Sequence, residues 1–218
     1  MSHVGMNARP LARPERAFVR RSSTTGDVQG LQEWEVVRRA QRLDPAALSS
    51  LYEVYFPRVY GYAYLQLGDV QLAEDVASDV MLKLLESLKS LRFRGVPFRA
   101  WVFRVAHNRV IDVHRRRRRR PEVGLHDEIV AAQEDPAAAM DRSLDRRRLQ
   151  AALLRLTEEQ RQVIILKFIE GFDNASAARV LGRSQGAVKS LQHRALVSLR
   201  HMLSEASAGS GRQPCYRG

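Results

Sequence analysis

The stretch richest in chemistry runs from Leu91 to Arg120, LRFRGVPFRAWVFRVAHNRVIDVHRRRRRR. It holds eleven arginines against one acid, Asp112, with Trp101 and Phe103 set among them. Guanidinium groups grip phosphate oxygens with paired donors, and aromatic rings stack on unpaired bases. Arginine interleaved with aromatics therefore suits single-stranded DNA or RNA, with Arg99, Arg104 and Arg109 lining one side of the helix expected there. The competing reading is a Trp101 packed in a core beside an incidental basic face. Arg115–Arg120 are six adjacent guanidinium groups, which repel one another unless a polyanion neutralises them. Binding through such a run weakens steeply with salt and carries no base-specific information.

A second set of candidates lies near the other end. Gln185, Lys189, Gln192, His193 and Arg194 fall on the outward side of a helix whose inward side is Val188, Leu191, Ala195, Leu199 and Met202. Gln can pair with both polar atoms of an adenine edge and Lys can donate to guanine in the major groove. Ser184 and the helix start suit a phosphate. Helical hairpins of this size also occur in proteins that never touch DNA. A third set, Glu74, Asp75 and Asp79, forms an acidic face suited to a basic partner surface, or simply to solvent.

The elements that must position these residues follow from spacing. Ala73, Val76, Ala77, Val80, Met81, Leu84, Leu85 and Leu88 repeat at helical intervals and predict a helix over 70–88 with one buried face. Upstream, Leu51, Tyr55, Val59, Tyr60, Ala63 and Leu67 repeat likewise. Pro57 lacks an N–H and its ring meets the carbonyl of residue 53, so a kink or a new helix is expected there. Gly68 should end that helix and Asp69 cap the next. Gly95 and Pro97 mark a loop before a helix starting near Phe98, with Val102, Val105, Ala106 and Val110 inward.

Later, Thr157-Glu158-Glu159-Gln160 is a capping box, Gly171 a stop, Asp173 a cap, Gly182 a turn and Ser184 another cap. Short helix, glycine turn, longer helix is the helix-turn-helix arrangement. No useful strand alternation is present. The fold class is all-α: two small helical domains joined by a flexible linker, the second ending in a helix-turn-helix. The expected divisions are a basic extension (1–32), a first domain (33–120), a linker (121–140), a second domain (141–203) and a Ser/Gly-rich tail (204–218).

Composition narrows the function. The chain has 218 residues, with Lys+Arg 36 against Asp+Glu 24, a formal charge of +12 that favours a polyanionic or acidic partner. Cys215 is the single cysteine, which excludes an internal disulfide and a thiolate metal cluster. No run of 18 apolar residues occurs, so no membrane insertion is expected, and residues 1–21 lack the apolar segment of a secretory signal. A soluble cytoplasmic protein is the expectation. Metalloprotease, phosphate-loop and serine-hydrolase motifs are absent, and His107 and His114 sit in a field too positive to attract a metal ion. The chain reads as no enzyme and needs no cofactor.

Two stretches together resemble a known family. LYEVYFPRVYGYAY, AEDVASDVMLKLLESL and FRAWVFRVAHNRVIDVHRRRRRR resemble the second domain of bacterial sigma factors of the extracytoplasmic-function group. LTEEQRQVIILKFIEGF and ARVLGRSQGAVKSLQHRALVSLR resemble their fourth domain. The resemblance covers residues 48–203 and implies a promoter-specificity subunit of RNA polymerase, recognising a duplex −35 and a melted −10 element.

It further implies that Glu74, Asp75, Asp79 and Lys83 meet the core enzyme, at the β′ clamp helices, with the β subunit a second contact. Arg92, Phe93, Arg94, Arg99, Trp101, Arg104, Asn108, Arg109, Arg115 and Arg116 would hold the melted −10 strand. Arg183, Ser184, Gln185, Lys189, Gln192, His193 and Arg194 would read the −35 duplex. An anti-sigma factor is a further implied partner. The chain departs from the family at Asn174–Ala178, where an aromatic and a Glu-Glu-Ile-Ala run are usual, at Ala187 in place of Thr, and at Leu191 in place of Arg. These changes remove groups that would contact −35 phosphates. The alternative is a stand-alone dimeric helix-turn-helix regulator of duplex DNA, which would need neither the acidic face nor the arginine–aromatic segment.

Overall fold

The computed structural model describes residues 26–92, 96–119 and 149–209, and every regular element among them is helical. The first block is α1 (Gly26–Gln41), α2 (Pro45–Leu67), α3 (Val70–Ser87) with a short 3-10 turn at Leu88–Ser90, and α4 (Phe98–Arg119). The second is α5 (residues 149–155), α6 (Glu158–Ile164) widening into a π turn at Ile165–Ile169, α7 (Asn174–Leu181) and α8 (Gln185–Gly209). α1 thus begins at Gly26, inside the stretch 1–32 expected as a basic extension. Residues 1–25, the linker 121–140, Phe93, Arg94 and Cys215 lie outside the described residues.

Local chemistry sets the boundaries. Asp44 caps α2 by accepting from the backbone N–H groups of Ala46 and Ala47, with Pro45 in the first turn where its missing donor costs nothing. Gly68 ends α2 in the left-handed region at φ 71°, and Asp69 caps α3 from Leu72 N–H. α2 runs through Pro57 rather than restarting, because its packing against α1, α3 and α4 outweighs one lost hydrogen bond. In the second block the Thr157–Gln160 capping box is present in both directions. Gly171 and Gly182 take positive φ, Asp173 caps α7, and Ser184 accepts from Ala187 N–H at the start of α8.

The core of the first block is aromatic. Tyr55 meets Phe98 edge-on, Tyr62 meets Phe103 edge-on, and Trp34 of α1 closes over Phe98. Phe98, Phe103, Val102, Ala106 and Val110 bury one side of α4, each large apolar side chain contributing about 1.5–3 kcal/mol. Leu85 departs from the periodic expectation: Ala73 to Leu84 are buried on α3, but Leu85 is 54 % exposed. The 3.6-residue period turns it past the seam with α2, where it edges a shallow apolar groove with Leu48, Tyr52 and Met81.

The two blocks touch. α4 packs along α7 and α2 against α6, and one buried apolar cluster runs from Tyr55 and Phe103 through Phe172 to Ile165, Val180 and Val188.

Candidate nucleic-acid and polymerase interface

α4 divides its basic residues among three surroundings. One side faces the second block. Arg99 lies over the Phe172 ring, 4.5 Å from its centroid, and donates to Gly171 O. Phe103 meets Phe172 edge-on at 5.4 Å, and Arg118 pairs with Glu158 at 2.6 Å. Another side faces α3, where the Arg109 guanidinium donates two hydrogen bonds to one carboxylate oxygen of Asp79. The third, solvent side carries Arg104, Asn108 and Arg115, with Trp101 half-buried and stacked on Phe98 at 5.9 Å. Positions 101, 104, 108 and 115 recur at helical spacing, so these four side chains form one stripe. Arg104 also donates to Arg179 O of α7 at 2.6 Å.

The arginine run is less exposed to self-repulsion than its sequence implies. Arg117 pairs with Asp69 at 2.7 Å and Arg118 with Glu158, so the fold supplies acids for two of the run's five described residues, 115–119. Arg115, Arg116 and Arg119 remain exposed. Glu158 lies at the first turn of α6, where the helix dipole favours a carboxylate.

His107 and His114 lie on the buried side of α4. Burial, then the charges of Arg104 and Arg183, push His107 down to about 4, so it is neutral in the fold. Burial also lowers His114, against the opposing pull of Glu158. Among the described residues no group of three or more His, Cys, Asp or Glu side chains is disposed to hold a metal ion.

On α3, Glu74, Asp75 and Lys83 are exposed, and Lys83 pairs with Glu86 along the same helix. The expected acidic face is thus reduced at Asp79, whose charge is taken by Arg109. A cleft between α3 and α4 collects Asp75, Asp79, Arg109 and Arg116. Residues assigned from sequence to two separate surfaces therefore share one.

On α8, Gln185, Lys189, His193 and Arg194 are exposed and Gln192 half-buried, while Val188, Leu191 and Ala195 are buried against the rest of the block. Leu191 packs in the core, so an arginine there would have no room in this arrangement. Arg183 pairs with Glu159, and Ser184 is engaged in capping. Burial raises Asp173, but the hydrogen bonds from Ser176 outweigh it and hold its carboxyl below the ordinary range, matching its role at the α7 N-terminus.

Sequence reasoning missed three residues. Arg58 reaches from α2 to Glu170 of the second block at 2.7 Å, with Glu170 only 7 % exposed. Burial raises the Glu170 carboxyl, partly offset by Arg58. Arg161, 7 % exposed, donates to Leu153 O (2.9 Å), Leu154 O (3.1 Å), Leu156 O (3.2 Å) and Gln66 O. Nothing in the periodicity marks these residues, because each finds its partner through the docking of separate helices.

The described residues form two helical blocks, the second of which contains a helix-turn-helix. The Sigma-70 region 2 model matches residues 51–120 and the Sigma-70, region 4 model matches residues 146–199. The ECF RNA polymerase sigma factor BldN of Streptomyces coelicolor is 33 % identical over 181 residues, covering 82 % of this chain and 69 % of that protein. The ECF RNA polymerase sigma factor SigL of Mycobacterium tuberculosis is 32 % identical over 169 residues, covering 78 % of this chain and 96 % of its own. Among solved structures, the sigma factor RpoE of Bartonella quintana, in complex with the anti-sigma factor NepR, is 27 % identical with a TM-score of 0.61, covering 72 % of this chain and 96 % of that one. CnrH, solved with the cytosolic domain of CnrY, shares the fold at a TM-score of 0.60 and 24 % identity.

The chain belongs to the ECF RNA polymerase sigma factors, and it directs RNA polymerase to promoter DNA. Two family models matching in order disfavour the stand-alone dimeric regulator. No helix among the described residues is long and apolar enough to cross a membrane.

Proposed function

We propose that α1–α4 is the block that meets core polymerase and the melted −10 strand, and that α5–α8 reads the −35 duplex. Glu74, Asp75 and Lys83 of α3 face the β′ clamp helices, with Asp79 serving mainly to anchor Arg109. The stripe Trp101, Arg104, Asn108 and Arg115 takes the single strand, joined by Arg116, by Arg99 on the side turned to the second block, and by Arg92, Phe93 and Arg94, which precede α4 in the sequence. Stacking on protein returns part of the energy lost when bases leave the duplex. Gln185, Lys189, Gln192, His193 and Arg194 of α8 read base edges and phosphates in the major groove. The protein works in the cytoplasm, with core polymerase and promoter DNA as partners. An anti-sigma factor is a further partner, as the relative solved with NepR suggests.

The observation that carries this reading is the α4 stripe. It sets a half-buried ring, an amide and two guanidinium groups on one line of a helix that also borders the acidic face of α3. The test is run-off transcription with bacterial core polymerase over a library of promoter fragments. Transcripts that depend on the protein, from a limited set of sequences, and that fall when Trp101 and Arg104 are both changed to Ala, support it. Full open-complex formation by the double variant overturns the assignment of α4.

A further inference from the structure

One face of α1 reaches the chain at both ends of the segment joining α3 to α4. Gln41 donates through its amide nitrogen to Leu88 O and Leu91 O, each at 2.9 Å, where the chain leaves α3. Trp34 donates through its indole N–H to Val96 O at 3.2 Å, just before α4 begins. These acceptors lie 47 to 62 positions away in the sequence. The two donors are seven residues apart in one helix, so they share a face, with their Cα atoms about 10.5 Å apart. Val37 and Ala40 on the same side are fully buried and seat that face in the core.

Neither acceptor of Gln41 depends on it. Leu88 O also accepts from Leu91 N–H, and Leu91 O from the Arg92 guanidinium. What Gln41 adds is position, because it ties two points of a turn to a helix that is itself packed in place. Trp34 adds a second constraint. Its ring meets Phe98 edge-on at 5.7 Å, and Phe98, fully buried, stacks on Trp101 at 5.9 Å. The indole that holds Val96 therefore also backs the first ring of the α4 stripe.

We propose that α1 is a ruler for the single-strand site: Gln41 and Trp34 fix the separation of Leu91 from Val96 and the seat of Trp101, and so set how sharply the −10 bases are told apart. The proposal rests on the single-strand reading of α4 given above. Both are positioning residues, acting through Leu91, Val96 and Phe98 without touching the strand. Discrimination needs polar groups held to within about 0.5 Å of their working geometry. A rigid site leaves its polar groups unpaired against a wrong base, whereas a site free to shift meets that base with little penalty. Slack at either anchor thus costs selectivity before it costs capture of the right base.

The test uses the full chain with bacterial core polymerase and promoter fragments carrying each of the four bases at each −10 position. It reads the rate of open-complex formation, and from it the ratio between the most and least favoured base. Gln41→Met keeps the length of the side chain and removes the donor; Gln41 is half-buried, so the core is left intact. Trp34→Phe keeps a ring beside Phe98 and removes the N–H. Each should lower the ratio about fivefold, the worth of one hydrogen bond, while helicity and affinity for core polymerase hold. Gln32→Met, on the exposed side of the same helix, should leave the ratio unchanged. An unchanged ratio in both donor variants, or an equal fall in Gln32→Met, overturns the ruler. So does a uniform fall in rate for all bases with the ratio intact, which is the mark of a merely structural role. Trp101→Ala with Arg104→Ala separates the underlying reading. If that variant keeps the wild-type rate and ratio, the single-strand assignment fails and the ruler with it. If it loses them while Gln41→Met and Trp34→Phe change nothing, only the ruler fails.

Discussion

Arg161 stands where two helices end. The carbonyls of Leu153, Leu154 and Leu156 close α5, that of Gln66 lies in the last turn of α2, and all four accept from its guanidinium. Final-turn carbonyls have no partners within their own helix, and the helix dipole makes that end negative. One cation thus serves helix-end acceptors from both blocks, although Leu153 O also accepts from Leu156 N–H. Hydrogen bonds to a charged group are worth about 1.5–3 kcal/mol each in net terms, so four would give about 6–12 kcal/mol. Burying the guanidinium returns several kcal/mol of that, and the same burial lowers its pKa.

Arg161→Met keeps much of the volume and takes the guanidinium donors from all four carbonyls, of which Leu153 O keeps the backbone N–H of Leu156. With some reached by water, the expected loss is about 3 kcal/mol. Arg161→Lys keeps the charge but not the planar fork and should lose about half as much. Urea unfolding, followed by helicity at pH 7.5, measures both. A loss below about 1 kcal/mol for Arg161→Met would show that water serves these carbonyls without Arg161, and the reasoning from converging helix ends would fail.

Three further outcomes follow from the same geometry. His107 is held neutral down to about 4, whereas the unfolded chain takes up its proton near 6.5, so its contribution is complete above 6.5 and is lost as pH falls toward 4, by about 3 kcal/mol at the limit. His107→Gln should flatten the fall in urea midpoint between pH 7 and pH 5, and an unchanged slope would contradict the assignment. Asp173→Ala removes the α7 cap and should cost about 1 kcal/mol, read by thermal unfolding, with duplex binding falling in step because α7 supports α8. Glu74→Arg with Asp75→Arg should weaken core-polymerase binding by about tenfold or more in a competition assay while leaving helicity intact, since both side chains are exposed; equal affinity would remove α3 from the interface.

Much of the fold was legible in the sequence because its signals are local. Capping by Asp69, Thr157, Asp173 and Ser184 involves neighbours three residues away, and the positive φ of Gly68, Gly171 and Gly182 answers turns that glycine alone marks. The buried faces of α3 and α8 follow the helical period, and the helix-turn-helix follows from cap, glycine and cap in order. Sequence alone also set the charge and the arginine–aromatic stretch that point to nucleic acid.

The tertiary structure decided which charges are available. Asp79 and Arg109, 30 positions apart, neutralise each other, while Arg117 and Arg118 find Asp69 and Glu158 on other helices. Leu85 lies on the predicted stripe and is left exposed because α2 covers only part of α3. Arg58–Glu170 and the four carbonyls at Arg161 exist only once the two blocks dock. Periodicity specifies which side of a helix is apolar, whereas the partner of a long charged side chain depends on the position of every other helix, and no local pattern encodes it.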